Sequence, residues 1–265
     1  MNFSNIRMEM GADGAAAGVA VITINRPEKL NALNRDVMAE LRQAFEAAAR
    51  DSAIRGLILT GAGERAFVAG ADIRELAAID AVGAERLSSQ GQSTFRLLES
   101  MGKPSVAAIN GFSLGGGMEL ALACTARIAS ENAKLGQPEV KLGIVPGYGA
   151  TQRLPRLVGR GRALELLLTG EVIDAAEAHR IGLVNHVVPQ AELLPFSNAW
   201  MMKVLANGPL AVALTMQAVD AGYDAGMDAG FRFEALAFGL TAATEDRREG
   251  TQAFLEKRVP RFTGK

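Results

Sequence analysis

The sequence predicts an α/β protein, with a layered core over residues 1–189 and a helical region over 190–265. Two observations carry this. Short apolar, β-branched runs alternate with stretches of helical periodicity as far as about Val188, the pattern of parallel α/β structure. Beyond Gln190, as far as Phe254, the periodicity is helical and no run reads as a strand. The chain has 265 residues, enough for one large domain or one domain with an appendage at roughly 150 residues per domain.

The elements follow in order. The run at 19–24 is β-branched and reads as a strand, ended by Arg26-Pro27. Asn34 is placed to cap a helix in which Val37, Leu41, Phe45 and Ala48 recur at helical spacing. Residues 56–60 form a second apolar run, the signature of a buried strand. Residues 61–72 read as a loop. Leu87, Phe95, Leu98 and Met101 mark a helix that Lys103-Pro104 stops, and 106–109 form another strand. Residues 111–117 read as a turn and 118–123 as a helix. Asp13 to Gly18 reads as a loop insertion near the N-terminus.

Composition excludes several functions. Lys and Arg total 28 against 29 Asp and Glu, a formal net charge of −1, so general nucleic-acid or membrane binding has no electrostatic basis. Cys124 is the single cysteine, which excludes a disulfide framework and a cysteine-based zinc site. His179 and His186 are the only histidines, and their spacing does not fit a zinc-protease helix, so no metal is expected. Residues 1–9 show no signal peptide. The weakly charged stretch 104–126 contains Asn110, Glu119 and a glycine run, unlike a membrane span. A cytoplasmic chain is expected.

Four local patterns bear on chemistry. Gly111-Phe112-Ser113-Leu114-Gly115 fits the hydrolase elbow G-x-S-x-G, and Asp174 and His179 follow in the right chain order. A triad needs those two on separate loops, whereas they lie five apart, and no H-G-G-G segment precedes Ser113. A turn serine is the plainer reading. Nucleotide fingerprints fail: Gly147-Tyr148-Gly149-Ala150-Thr151-Gln152 lacks the third glycine. Glu119 is the only charge between Lys103 and Arg127 and sits among apolar helical residues. Such a carboxylate is either a first-turn anion or an acid–base group with a raised pKa. Gly115-Gly116-Gly117 at a helix start leaves N–H donors uncovered, and Ala69-Gly70-Ala71-Asp72 offers a second such turn. Taken alone, Glu139, Phe254 and Lys257 read as a surface acid, a core contact and a solvated charge.

In combination the segments become specific. They are Asn25-Arg26-Pro27 with Asn31-Ala32-Leu33; Ala66-Phe67-Val68-Ala69-Gly70-Ala71-Asp72-Ile73; Ala107-Ala108-Ile109-Asn110-Gly111; and Leu114-Gly115-Gly116-Gly117-Met118-Glu119-Leu120. Gly136-Gln137-Pro138-Glu139, Pro146-Gly147-Tyr148-Gly149-Ala150-Thr151-Gln152-Arg153 and Thr244-Glu245-Asp246-Arg247 follow. In this order they resemble the enoyl-CoA hydratase (crotonase) superfamily, over roughly residues 19–262.

That resemblance implies a crotonase-like spiral of ββα turns and a C-terminal helical region that builds homotrimers, often paired into hexamers. It implies an acyl-CoA thioester as substrate, with coenzyme A belonging to the substrate and no separate cofactor. Oxyanion-hole N–H groups map to Ala71 and Gly116, and two catalytic carboxylates to Glu119 and Glu139. Having both carboxylates favours a hydratase, which adds water to a trans-2-enoyl-CoA to give the 3-hydroxyacyl-CoA. An enoyl-CoA isomerase, or a hydratase of branched or aromatic acyl-CoAs, is the alternative. Lys29 and Arg74 match positions near the nucleotide phosphates, and Ala69 and Ile73 the pantetheine path. Phe254 and Lys257 match residues reaching the adenine end. Gly147 and Tyr148 fall at the acyl pocket. Tyr148 departs from the small residue often found there and would narrow or redirect that pocket.

Overall fold

The computed structural model describes residues 3–11 and 17–265; most of the expected 13–18 insertion lies outside them. Strands β1 (Ile6–Met10) and β2 (Val19–Ile24) open the chain. Helix α1 (Arg35–Arg50) follows, capped by Asn34, whose Oδ1 accepts the Val37 N–H at 2.9 Å. Next come β3 (Gly56–Gly61), β4 (Ala66–Val68), α2 (Ile73–Ala77) and α3 (Ala81–Ser100). Then come β5 (Ser105–Ile109), β6 (Phe112–Leu114) and α4 (Gly116–Leu122). The pattern continues with β7 (Ala126–Ser130), β8 (Lys134–Gly136), a 3-10 turn (Pro138–Leu142), α5 (Ala150–Val158) and α6 (Arg160–Thr169). Strand β9 (Val172–Asp174), α7 (Ala175–Arg180) and β10 (His186–Val188) end the strand-bearing part. Helices α8 (Leu193–Leu205), α9 (Pro209–Asp224), α10 (Met227–Ala242) and α11 (Glu245–Leu255) complete the chain.

Two sheets result. The larger has the order β1-β2-β3-β5-β7-β10 and the smaller β4-β6-β8-β9. Pairing is parallel except between β1 and β2 and between β8 and β9. Each repeat sends one strand to the large sheet, one to the small sheet and then a helix, as in β5-β6-α4. This is the expected spiral of ββα turns.

Both faces of the central strands β3 and β5 are buried, which is why they read as near-continuous apolar runs. Leu57, Leu59, Ala107 and Ile109 point into the main core with α1 and α3. Ile58, Val106 and Ala108 point the other way, against Leu193, Met201 and Leu205 of α8. The first helix of the C-terminal region therefore closes the second face of the sheet.

Two expectations are corrected. The loop expected over 61–72 contains β4, and the turn expected over 111–117 contains β6. Each strand has three residues, too few for a two-residue period to show, and β6 is flanked by Gly111 and Gly115.

Candidate active site

The site grows out of one edge of the small sheet. Strands β4, β6 and β8 are parallel neighbours, so their carboxyl ends emerge side by side. The segments that follow are Ala69-Gly70-Ala71, Gly115-Gly116 and Gln137-Pro138-Glu139. Ligands of parallel sheets bind outside the carboxyl ends of strands. The segments fit because glycine lets backbones touch. A Cβ on Gly117 would lie 2.1 Å from the Val68 carbonyl oxygen, and one on Gly115 2.8 Å from Glu139 Oε1. Gly115 also has φ +48°, which disfavours any side chain.

Two N–H groups face this edge. Gly116 is the first residue of α4, where N–H groups lack partners inside the helix. Ala71 forms a parallel bridge with Leu33. That bridge uses the Gly70 carbonyl, which accepts from the Leu33 N–H at 2.9 Å, and the Asp72 N–H, which donates to Leu33 at 2.7 Å. The Ala71 N–H consequently points to the opposite side.

Two carboxyl groups complete it. Glu119 is 1% exposed on α4. Its Oε1 accepts the N–H of Tyr148 at 2.7 Å and that of Ala150, the first residue of α5, at 2.9 Å. Burial raises its pKa, and the N–H groups of Ala150 and Tyr148 and the Arg153 charge act against that rise. Glu139 is half-buried on the 3-10 turn. Its pKa is pushed up to about 7, first by burial and then by the charge of Glu119. A buried and a half-buried carboxyl group, electrostatically coupled, beside two backbone N–H groups can form a site for proton transfer next to a developing oxyanion.

A family model described as "Enoyl-CoA hydratase/isomerase" matches residues 14–265. The chain belongs to the enoyl-CoA hydratase/isomerase family. It is 52% identical over 247 residues to a protein of Syntrophomonas wolfei named crotonyl-CoA hydratase, covering 93% of this chain and 95% of that protein. It is 49% identical to the short-chain-enoyl-CoA hydratase of Clostridium acetobutylicum, covering 91% and 92%. The crystal structure of an enoyl-CoA hydratase from Bacillus anthracis superposes with a TM-score of 0.93 at 42% identity, covering 99% of this chain and all of that one.

The remaining predicted residues divide into two groups. Lys29 and Arg74 are exposed, as is Ile73, while Ala69 is half-buried. They stand on adjoining segments, because the Ala69 N–H donates to the Leu30 carbonyl at 3.0 Å. Asn31 pins this loop to β4: its buried Nδ2 donates to the carbonyls of Ala62 and Ala66 at 3.0 and 2.8 Å.

Phe254 and Lys257 lie elsewhere. Phe254 is 83% exposed at the end of α11. The tail beyond that helix packs where β3 and β5 begin: Thr263 shares a cavity with Arg55, Lys103 and Pro104.

The hydrolase alternative fails on geometry. Ser113 lies inside β6, fully buried, and its Oγ has no hydrogen-bond partner among the described residues. Asp174 caps α7 by accepting the Glu177 N–H at 2.9 Å, and His179 Nδ1 lies 3.2 Å from the Val184 carbonyl oxygen.

The structure adds residues that the sequence did not single out. Gln137 is fully buried, and its carboxamide lies against Glu139. With the nitrogen on that side it donates to Oε2 at 3.0 Å and Oε1 at 2.8 Å. A polar residue directly before Pro138-Glu139, in an apolar flank, was the available signal. Arg153 forms a two-pronged ion pair with Glu99 of α3, at 2.5 and 2.8 Å, and donates to the Tyr148 carbonyl at 2.7 Å. It ties the loop that holds Glu119 to α3.

Proposed function

We propose that the protein adds water across the double bond of a trans-2-enoyl-CoA, with Ala71 and Gly116 as the oxyanion hole and Glu119 and Glu139 as the acid–base pair. The observation that carries this is the convergence of both carboxyl groups and both N–H groups on one strand edge. The thioester oxygen accepts from the two N–H groups. Negative charge builds on that oxygen as an enolate when water attacks C3, and fixed donors stabilise it, a term of roughly 2.7–4 kcal/mol per donor.

Glu119 suits the base. Two backbone N–H groups hold its Oε1, leaving the other oxygen for a water proton. Glu139 suits the acid, because a pKa of about 7 keeps a large protonated fraction near neutrality. One water proton passes to Glu119, the hydroxide bonds to C3, and Glu139 gives its proton to C2. The sum is one added water; proton exchange with solvent resets both groups.

Lys29 and Arg74 form the phosphate rim, Ala69 and Ile73 flank the pantetheine, and Gly147 and Tyr148 bound the acyl end. Phe254 and Lys257 act on the adenine end of a neighbouring chain's substrate. That role needs an oligomer, and exposed apolar side chains support one: Phe231 is 60%, Leu236 70% and Phe238 77% exposed along α10. Leu205 of α8, by contrast, is buried in the chain's own core. A homotrimer, alone or paired into a hexamer, covers this surface. Among the described residues no single helix is long and apolar enough to cross a membrane, in keeping with the proposed cytoplasmic location.

The relatives' names make crotonyl-CoA the first substrate to try. Incubation should abolish the conjugated enoyl absorbance and give a product heavier by one water. Absorbance that persists with crotonyl-, hexenoyl- and cinnamoyl-CoA would remove the hydratase reading.

A further inference from the structure

Tyr148 occupies an unusual seat. It is 6% exposed, although it follows a glycine in a loop. One ring edge lies on α3 at Gly91, where a Cβ would come within 2.2 Å of Cδ1 and 2.3 Å of Cε1. No residue but glycine leaves room for the ring there. The other edge faces Gly116, where a Cβ would lie 3.3 Å from Cδ2 and Cε2. The ring therefore spans the gap between α3 and the first turn of α4. Phe95 closes it from the side, edge-on at 5.6 Å and 79°.

The ring is also fixed. The Tyr148 N–H is held by Glu119 and its carbonyl by Arg153. The carbonyl of Gly147 accepts from Ser88 at 2.5 Å and from Gln92 at 2.9 Å, both on α3. These bonds, to α3 and to α4, fix the backbone of the residue, and Gly91, Gly116 and Phe95 enclose its ring. Burial and the charges of Glu119 and Glu75 hold the phenol up at about 12, so the wall is uncharged at neutral pH.

We infer that the Tyr148 ring, seated on Gly91, is the gauge that restricts this site to acyl chains little longer than crotonyl. The inference rests on the hydratase reading. A thioester oxygen on the Gly116 N–H and a C3 atom within reach of Glu119 place C4 next to Tyr148, whose own N–H binds that carboxylate. Further methylenes run into the ring. Aromatic rings pack as rigid blocks, and a core at this density does not yield a path for several extra carbons.

The test compares trans-2-octenoyl-CoA with crotonyl-CoA as substrates, and octanoyl-CoA with butyryl-CoA as calorimetric ligands. Tyr148→Ala should raise the octenoyl-to-crotonyl ratio of kcat/KM by at least about tenfold, since each newly buried methylene adds apolar contact. The octanoyl-to-butyryl affinity ratio should rise with it. Tyr148→Phe, which keeps the ring, should leave both ratios in place. Gly91→Ala should push the ring toward the thioester and weaken butyryl-CoA binding. If Tyr148→Ala does not fold, Tyr148→Leu carries the same comparison. A folded variant with unchanged ratios overturns the gauge, as does a wild-type protein that already prefers octenoyl-CoA. Lack of hydration by the wild type overturns the hydratase reading instead, and the affinity ratios then decide the gauge.

Discussion

Glu119 and Phe254 mark two regions that a single chain completes to different degrees. Glu119 is 1% exposed, its carboxylate gripped by two backbone N–H groups, at an edge where three parallel strands end together. Phe254 is 83% exposed on a helix whose tail packs at the start of the large sheet's strands. The chemistry is thus assembled by the folding of one chain, through strand pairing and glycine contacts. In the proposed function, recognition of the nucleotide end involves a second chain. Changes in the first region should act on kcat, and changes in the second on KM and assembly.

The largest expected effects break the first region. Glu119→Gln and Glu139→Gln keep the side-chain size and should each lower kcat by roughly 10²–10⁴, the usual contribution of a positioned acid or base. Steady-state hydration of crotonyl-CoA measures this, and near-wild-type turnover by either variant removes its assigned role. Their pH profiles sharpen the division of labour. Glu139 must be protonated to act as the acid, and its pKa is raised to about 7, so kcat/KM should fall as pH rises through that value. Residual activity of Glu139→Gln should lack that fall.

Gly116→Pro comes next. Proline removes the N–H and is tolerated at the first position of a helix, so kcat should drop roughly 10²–10³ with the fold retained. Gly116→Ala keeps the donor but places a methyl 3.3 Å from the Tyr148 ring and 3.4 Å from Leu33 Cδ1. It should raise KM more than it lowers kcat. Circular dichroism and oligomer size separate these outcomes from misfolding.

Smaller effects belong to the second region. Phe254→Ala and Lys257→Ala should raise KM for crotonyl-CoA several-fold, about 1 kcal/mol of binding, with kcat held. A stable monomer by light scattering, with wild-type KM, would contradict the shared site. Ser113→Ala should change nothing in hydration, because its Oγ is buried within β6; labelling of Ser113 by a fluorophosphonate would contradict that.

The same contrast explains what could be read from the sequence. Strands β2, β3 and β5 of the large sheet were legible because they are almost wholly buried, so 19–24, 56–60 and 106–109 are apolar runs, whereas β1, mostly exposed, and β7 and β10 were not singled out. The Asn34 cap was legible because a cap is a local device. Strands β4 and β6 were not, being three residues long, yet they are what align Ala71 with Gly116. The carboxylates and donors were identified by motif resemblance, while physical signals alone flagged Glu119 and left Glu139 a surface acid. Its raised pKa comes from burial by distant residues and from Glu119, twenty positions away. Gln137 and the pairing of Gly91 with Tyr148 depend on contacts across the fold that no local pattern announces.

The most direct test of the central claim follows the proton. Hydration of crotonyl-CoA in D₂O, with the product analysed by mass and NMR, reports whether a fixed group delivers hydrogen to C2. A carboxyl held on the turn after β8 reaches one face of the substrate only. The account predicts one carbon-bound deuterium at a single one of the two C2 positions, with formation of that product suppressed in Glu139→Gln. Deuterium spread equally over both positions, or undiminished product from Glu139→Gln, would contradict it.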